Sequence, residues 1–471
     1  MRLWITWLDA VRVLRPACSR MSTFVWMIFS LIGMCARTTD QAGVTSYMRV
    51  LGFYGKAYNR LLGLFHSSAL DLDRITALWL KLCLQLFGPV TVGPRLVCLA
   101  DGLKAPKEGR KMPGVKRLHQ ESGNNTKPEF IMGHSFQAIS LLVQGPGKHA
   151  AAVPLVSRIH EGVVFSNRDS RTLLDKLAAL LLSVAKIWDR KILLVADAYY
   201  ASGGLMAELL DHGHHLLTRA RGNAVAYLPP HSSKSRRRRG RPRLYGKKVR
   251  LKDLAAEDSK FKSAPSPVYG DSQVTLRYRS IDLIWKSAAR LVRFVIVHHP
   301  KRGTIFLLST DLTLEPLQMI QLYGFRFKIE LGFRQALHVL GAYAYHFWMS
   351  EMDPIRRGQG DQHLHRASES YRKAIVRKLN AYHRHVQLGC VAQGLLQHLA
   401  INHSDLVWDH MREWFRTINR KLPPSELLTA HALRAALPEF FAARRIDPNL
   451  RQILEKYRAP DIGLTVKRRA A

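Results

Sequence analysis

Apolar residues recur every three or four positions over the first 88 residues, a period that predicts helices. Trp4, Leu8 and Val11 open the pattern, and residues 24–36 (FVWMIFSLIGMCA) follow as an apolar run. That run is shorter than the roughly 20 apolar residues a spanning helix needs, so a core helix is expected. Its basic flank and small closing residues imitate a signal peptide, but the long leader ahead of it and the basic, cysteine-poor remainder argue against secretion. Next, Thr38 or Thr39 can cap a short helix that Gly43 breaks, and Thr45 or Ser46 can start another. The pair reads either as a helix-turn-helix, with Arg49, Lys56 and Arg60 towards phosphates, or as part of a plain bundle. Residues 71–86 form a further amphipathic helix.

The pattern then changes. Residues 96–100 (LVCLA) and 192–196 (ILLVA) are uninterrupted apolar runs, the signature of strands buried on both faces, and each ends in aspartate, Asp101 and Asp197. A loop rich in Gly, Pro and basic residues, 102–127, follows the first run and carries Lys111. Strands are expected at 135–143, 152–159 and 215–219. One helix should be capped by Asp169 or Ser170, with Leu173, Leu177, Leu180, Val184 and Trp188 on its stripe, and another should run from Ser202 to Gly213. Three strands, a helix, a strand, a helix and a strand is the order of a ribonuclease-H-like core, so the fold class expected is α/β.

From residue 227 the alternation breaks. Residues 234–250 hold ten basic residues and no acid. Period-2 segments follow through Val274, Leu276 and Tyr278, then 290–297 and 304–309, and predict an inserted β-rich unit. A long helix is expected over 317–348, beginning near Pro316 with Asp311 or Thr313 as cap. On it Tyr323, Arg326, Glu330 and Arg334, spaced by three, four and four, share one face. Such a face is either an ordinary ion-pair surface or a functional one. Residues 358–362 (GQGDQ) look like a linker, and a helical tail carries Tyr371, Ile375, Leu379 and Tyr382 on one stripe. The expected division is a helical N-terminal DNA-binding region (1–90), the two parts of the core (91–226 and 301–350) around a basic insertion (227–300), and a helical C-terminal region (351–471).

Charge narrows the function. Lys plus Arg number 72 against 35 Asp plus Glu, a difference of +37, which implies a polyanionic partner, nucleic acid before an acidic membrane surface. Five scattered cysteines with no CxxC pair argue against a disulfide framework or zinc module and for a reducing compartment. His383, His385 and Cys390 read as ordinary helix residues. Asp101 and Asp197 at the ends of buried strands would be costly alone. Joined by Glu330 they make sense as ligands of hard divalent cations, Mg²⁺ with Mn²⁺ able to substitute, two ions together serving an in-line phosphoryl displacement.

The residues resemble a known family, the bacterial insertion-sequence transposases of the cut-and-paste DDE type, hairpin-forming branch. The segments around Asp101 and Asp197 (LLVADAYYASGG for the second) look like the family's two aspartate regions. LYGFRFKIELGFRQAL is similar to its Tyr-Arg-Glu-Lys helix signature, which Tyr323, Arg326 and Glu330 fit. Position 337, where the signature has Lys, is Leu; Arg334, one turn earlier, could substitute. The resemblance implies that Asp101, Asp197 and Glu330 are catalytic and bind metal, and that Tyr323 and Arg326 hold phosphate near the scissile bond. It implies end nicking, hairpin formation, reopening and strand transfer at one site. It also implies DNA as partner, a homodimer on DNA, and a place in the bacterial cytoplasm at the nucleoid. Hairpin formation needs a flipped base, for which Trp285 is the candidate, its plainer role being a core residue. The basic run holds Arg239, Arg241 and Arg243 (RGRPR), suited to a narrow minor groove or to a phosphate-binding loop. Competing readings are a relative that binds DNA but has lost catalysis, a ribonuclease-H-like nuclease and, weakest, a membrane-surface protein.

Overall fold

The computed structural model describes residues 1–37, 40–120, 128–147, 149–230, 243–416, 418–443 and 446–458. Five helices open the chain: α1 (Arg2–Arg12), α2 (Met21–Cys35), α3 (Val44–Leu51), α4 (Ala57–His66) and α5 (Leu72–Leu86). The apolar run is buried around its whole circumference in α2, as a helix central to a bundle must be. Among the described residues no helix is long and apolar enough to cross a membrane. The short helix expected ahead of Gly43 does not form in residues 40–43, while Thr38 and Thr39 lie outside the described residues. The backbone there is tied up by Arg37, whose buried guanidinium donates to the carbonyls of His338, Val339 and Asp40. The next helix, α3, starts directly at Val44.

The strands are β1 (Thr91–Val92), β2 (Arg95–Pro106), β3 (Lys116–His119), β4 (Phe130–Gln144), β5 (Ala150–Ile159), β6 (Val163–Val164), β7 (Ile192–Val195) and β8 (His215–Arg219). Helices α6 (Leu173–Trp188) and α7 (Gly203–Asp211) flank β7 in the chain. The cap of α6 is Thr172, in a capping box with Asp175; Asp169 instead holds Arg171. Then come β9 (Val225–Tyr227), β10 (Lys248–Arg250), α8 (Leu251–Ala255), β11 (Lys262–Pro265), β12 (Thr275–Trp285), β13 (Arg290–His299) and β14 (Gly303–Ser309). One mixed sheet has the order β10-β9-β12-β13-β14-β8-β7-β2-β4-β3, with β5 also on β4. Pairing is parallel for β2–β7 and β7–β8 and antiparallel for the other pairs of this sheet. The expected β insertion therefore joins the same sheet, because β14 pairs with β8.

Period-2 alternation gives the sheet two apolar faces. Leu96, Cys98 and Ala100 of β2 face the core that also takes in Leu177 and Leu181 of α6. Val97 and Leu99 pack on the other face with Met319, Ile320 and Ile329. Those three belong to α9 (Pro316–Gly324) and α10 (Phe327–Gln335). The expected long helix is thus broken after Gly324, and α10 runs into a π-helical turn, Ala336–Leu340, that ends at Gly341 in the left-handed region (φ 66°). Glu315 precedes α9 and makes no side-chain cap. Asp311 accepts from Thr313 and pairs with Arg95 at 2.8 Å instead. Residues 358–362 are not a free linker: β15 (Gln362–His363) pairs with β6, and Lys116 holds Asp361 at 2.8 Å.

The tail forms α11 (Glu369–Asn402), α12 (Ser404–His410), α13 (Glu426–Ala442) and α14 (Pro448–Tyr457). It packs on the N-terminal helices: Trp4 stacks on Phe440 and donates to the Leu433 carbonyl at 2.9 Å. Helix α11 also covers the outer edge of β5. Gln397 and Gln387 donate to the Ala152 and Leu155 carbonyls, and His383 accepts from the Ile159 N–H, at 3.0–3.1 Å. An edge strand's unpaired groups are thereby closed off.

Candidate active site

Register brings the two aspartates together. Strands β2 and β7 run parallel with Leu99 opposite Val195. Two residues further along each strand direction lie Asp101 and Asp197. The first sits inside β2, which continues to Pro106, so Asp101 does not end its strand as the apolar run suggests. Asp197 does follow the end of β7, where its carboxylate accepts from the Tyr199 N–H at 2.9 Å.

Helix α10 brings the third carboxylate. Glu330 is one turn beyond Arg326, and the Arg326 guanidinium donates to Glu330 at 2.6 Å and to Asp101 at 3.2 Å. The guanidinium thus ties the helix to the sheet at Asp101. Tyr323 is half-buried on the same side; burial raises its phenol pKa, opposed by Arg326 and Arg219. Burial likewise works against the charge of Arg326, but Glu330, Tyr323 and Asp101 outweigh it and raise its pKa. Asp101 is pushed up to about 6, by burial first and then by the charges of Asp197 and Glu330, against the Gly102 N–H and Arg326. Oxygen donors that crowd negative charge in this way suit a hard divalent cation, which favours carboxylates. Among the described residues no three His, Cys, Asp or Glu side chains stand together as one ligand group, and Glu330 is engaged by Arg326.

The other expected residues divide. Arg334 is exposed and makes no ion pair among the described residues. Leu337 packs against the apolar core, which accounts for an apolar side chain at that position. Lys111 donates to the Ser350 carbonyl at 2.9 Å, tying down the segment after α10. Arg239 and Arg241 lie outside the described residues, and Arg243 is exposed. Trp285 packs against the core and also lines a cavity of about 470 Å³ with Tyr199, Tyr227 and Arg221. His385 lies in the core, bonded to the Tyr47 hydroxyl and the Ala342 carbonyl. All five cysteines are buried thiols.

Two residues of the site escaped the sequence reading. Buried Gln137 donates to the Asp101 carbonyl at 3.1 Å and to the Tyr200 hydroxyl at 2.9 Å, so it holds the strand at the point where Asp101 projects. Its signal was available, a lone amide within the apolar run of β4. Arg219, whose charge reaches Tyr323, had none, because it is one of many arginines.

Paired strand carboxylates beneath a helix-borne Arg–Glu pair define an α/β protein of nuclease type. A family model described as DDE superfamily endonuclease matches residues 14–278, a little over half of the 471-residue chain, and the chain belongs to that family. The match includes Asp101 and Asp197 and stops before Glu330. Membership implies DNA as substrate. No curated protein matches the chain.

Proposed function

We propose that this protein is a cut-and-paste DNA transposase of the hairpin-forming branch, built on a ribonuclease-H-like core. On this reading it binds transposon ends, cleaves them and joins the freed 3′ ends to target DNA. The observation that carries the reading is the register of β2 on β7, which sets Asp101 beside Asp197 while Arg326 ties Glu330 to the same point. The sheet order β5-β4-β2-β7-β8, with its antiparallel first part and parallel second, supports the ribonuclease-H-like core. Asp101, Asp197 and Glu330 would hold Mg²⁺, or Mn²⁺ in its place, as two ions. Such ions supply charge for the attacking and leaving oxygens of a phosphoryl displacement.

The side chains do the positioning. Arg326 meets a scissile phosphate with the same fork of donors that now meets carboxylates, and the Tyr323 hydroxyl lies beside it. Gln137 and Tyr200 keep Asp101 in place from behind. Water attacks first at the element end, the freed 3′-hydroxyl then attacks the opposite strand to close a hairpin, water reopens it, and the 3′-hydroxyl attacks target DNA. The cavity under Trp285 and Tyr199 suits a base swung out during hairpin closure. The helical N-terminal region and the basic stretch through Arg239, Arg241 and Arg243 supply end contacts, with Lys111 and Arg334 beside the substrate. The working form is a dimer on DNA in the bacterial cytoplasm. One observation favours a second reading, a DNA-binding relative that has lost cleavage: position 337 is filled by a core-packed Leu.

Cleavage of a labelled duplex carrying the terminal repeat, with Mg²⁺ or Mn²⁺, tests the proposal. Wild type should yield hairpinned or flush-cut ends and Glu330→Ala none. Tight binding without cutting by either protein would leave the second reading, and Leu337→Lys would then be assayed for regained cleavage.

A further inference from the structure

Beyond Asp101, β2 continues for five residues to Pro106, roughly 16 Å at about 3.3 Å per residue. There the ends of β2, β3 and β4 and the segment after α10 enclose a second cavity of about 680 Å³, separate from the one under Trp285. Arg110, Arg117 and Arg357 line it, with Lys107 and, as the one acid among the described residues, Glu108. Phe130 forms an aromatic wall, 39% exposed, with the Arg117 guanidinium 3.7 Å over its ring. The frame around them is fixed. The Arg117 N–H donates to the Gln359 carbonyl at 2.8 Å and Arg110 to the Ile355 carbonyl at 3.2 Å.

We infer that this groove is a site for unpaired nucleotides of the DNA substrate, a short way along the strand from the scissile phosphate. The inference rests on the transposase reading and deepens it. Arginines beside an exposed aromatic ring are the chemistry of single-strand binding, charge for the backbone and a ring for the base. The cavity, at about 680 Å³, has the volume of a small-ligand site. The arginine fork over Phe130 would open to sandwich a base between guanidinium and ring.

The test compares a blunt duplex with the same duplex carrying a five-nucleotide single-stranded overhang, by fluorescence anisotropy. Wild type should bind the overhang form at least about fivefold tighter, the low end of one base–aromatic stack. Phe130→Ala, and separately Arg117→Ala with Arg357→Ala, should abolish that preference while blunt-duplex affinity stays within about twofold. The arginine pair should also lower the salt slope of overhang binding by about 0.7, for the one phosphate that Arg357 meets while Arg117 stacks on the base. Wild type that binds both duplexes equally, or variants that keep the preference, would overturn the groove and leave the transposase reading intact. Wild type that binds neither DNA would overturn both.

Discussion

At Arg326 a single guanidinium faces Asp101 and Glu330, with the charge of Asp197 also bearing on Asp101. Its planar fork lets separate nitrogens serve separate oxygens, which a lysine ammonium on a flexible stem cannot reproduce. Arg326→Lys keeps the charge and loses the bridge. Cleavage should fall by about 100-fold or more, the scale of losing one oriented donor, while affinity for uncut end DNA changes less than about threefold. Single-turnover cleavage and anisotropy on the same DNA separate these effects, and an equal loss in both would make Arg326 a plain binding residue. At this scale the placing of two carboxylates on neighbouring strands was legible. Asp101 and Asp197 stood out because a carboxylate closing an apolar run is costly without a purpose. The contacts of Lys111 and Leu337 were not legible, since a backbone carbonyl 239 residues away or a core contact leaves no mark on local pattern.

Among the elements, α11 and β5 show how far pattern reading reaches. Both were recognisable, the helix from its stripe and the strand from its apolar alternation, yet their docking was not, because it depends on glutamines that look like surface residues. The break at Gly324 was hidden for a related reason: spacing alone carries Tyr323, Arg326 and Glu330 through as one helix, and the two halves still present these side chains together. Close approach sets the docking. A Cβ on Gly394 of α11 would lie 2.2 Å from the Trp79 ring, whose Nε1 donates to the Pro154 carbonyl of β5 at 2.9 Å. Gly394→Ala should therefore destabilise by about 1–3 kcal/mol, the range for overpacking. Gly63 of α4 is the control: it is exposed, a Cβ there meets nothing, and Gly63→Ala should stabilise by about 0.5–1 kcal/mol. Urea midpoints give both signs, and a neutral Gly394→Ala would mean that Trp79 can move at no cost.

For the whole molecule, the region where the N-terminal helices, α11 and the end of the sheet meet carries Lys107, His134 and His385, on which no acid among the described residues acts. His134 and His385 are fully buried, and burial pushes each down to about 3, with Lys107 adding repulsion. Lys107 is itself pushed down to about 7 by burial; its ammonium donates to the Tyr343 and Tyr345 carbonyls and lies 5.3 Å from the Tyr382 ring centre. His385 donates through one ring nitrogen to the Ala342 carbonyl, so in the neutral ring its other nitrogen accepts from the Tyr47 hydroxyl and both nitrogens are satisfied without a second proton. The signs agree. Unfolded histidine titrates near 6.5, so between about 6.5 and 3 the unfolded chain binds protons that the folded chain does not, and stability falls as pH falls. For Lys107 the corresponding window runs from 10.5 down to about 7, with the same sign. Well below pH 6.5 each histidine should contribute a slope of about 1.4 kcal/mol per pH unit. Urea midpoints should therefore drop steadily from pH 8 to pH 5, and His134→Gln should reduce the slope below pH 6.5 by about one proton's worth, whatever it does to stability itself. An unchanged slope in that variant would mean that His134 takes up its proton in the folded state, and that the core around Lys107 admits water.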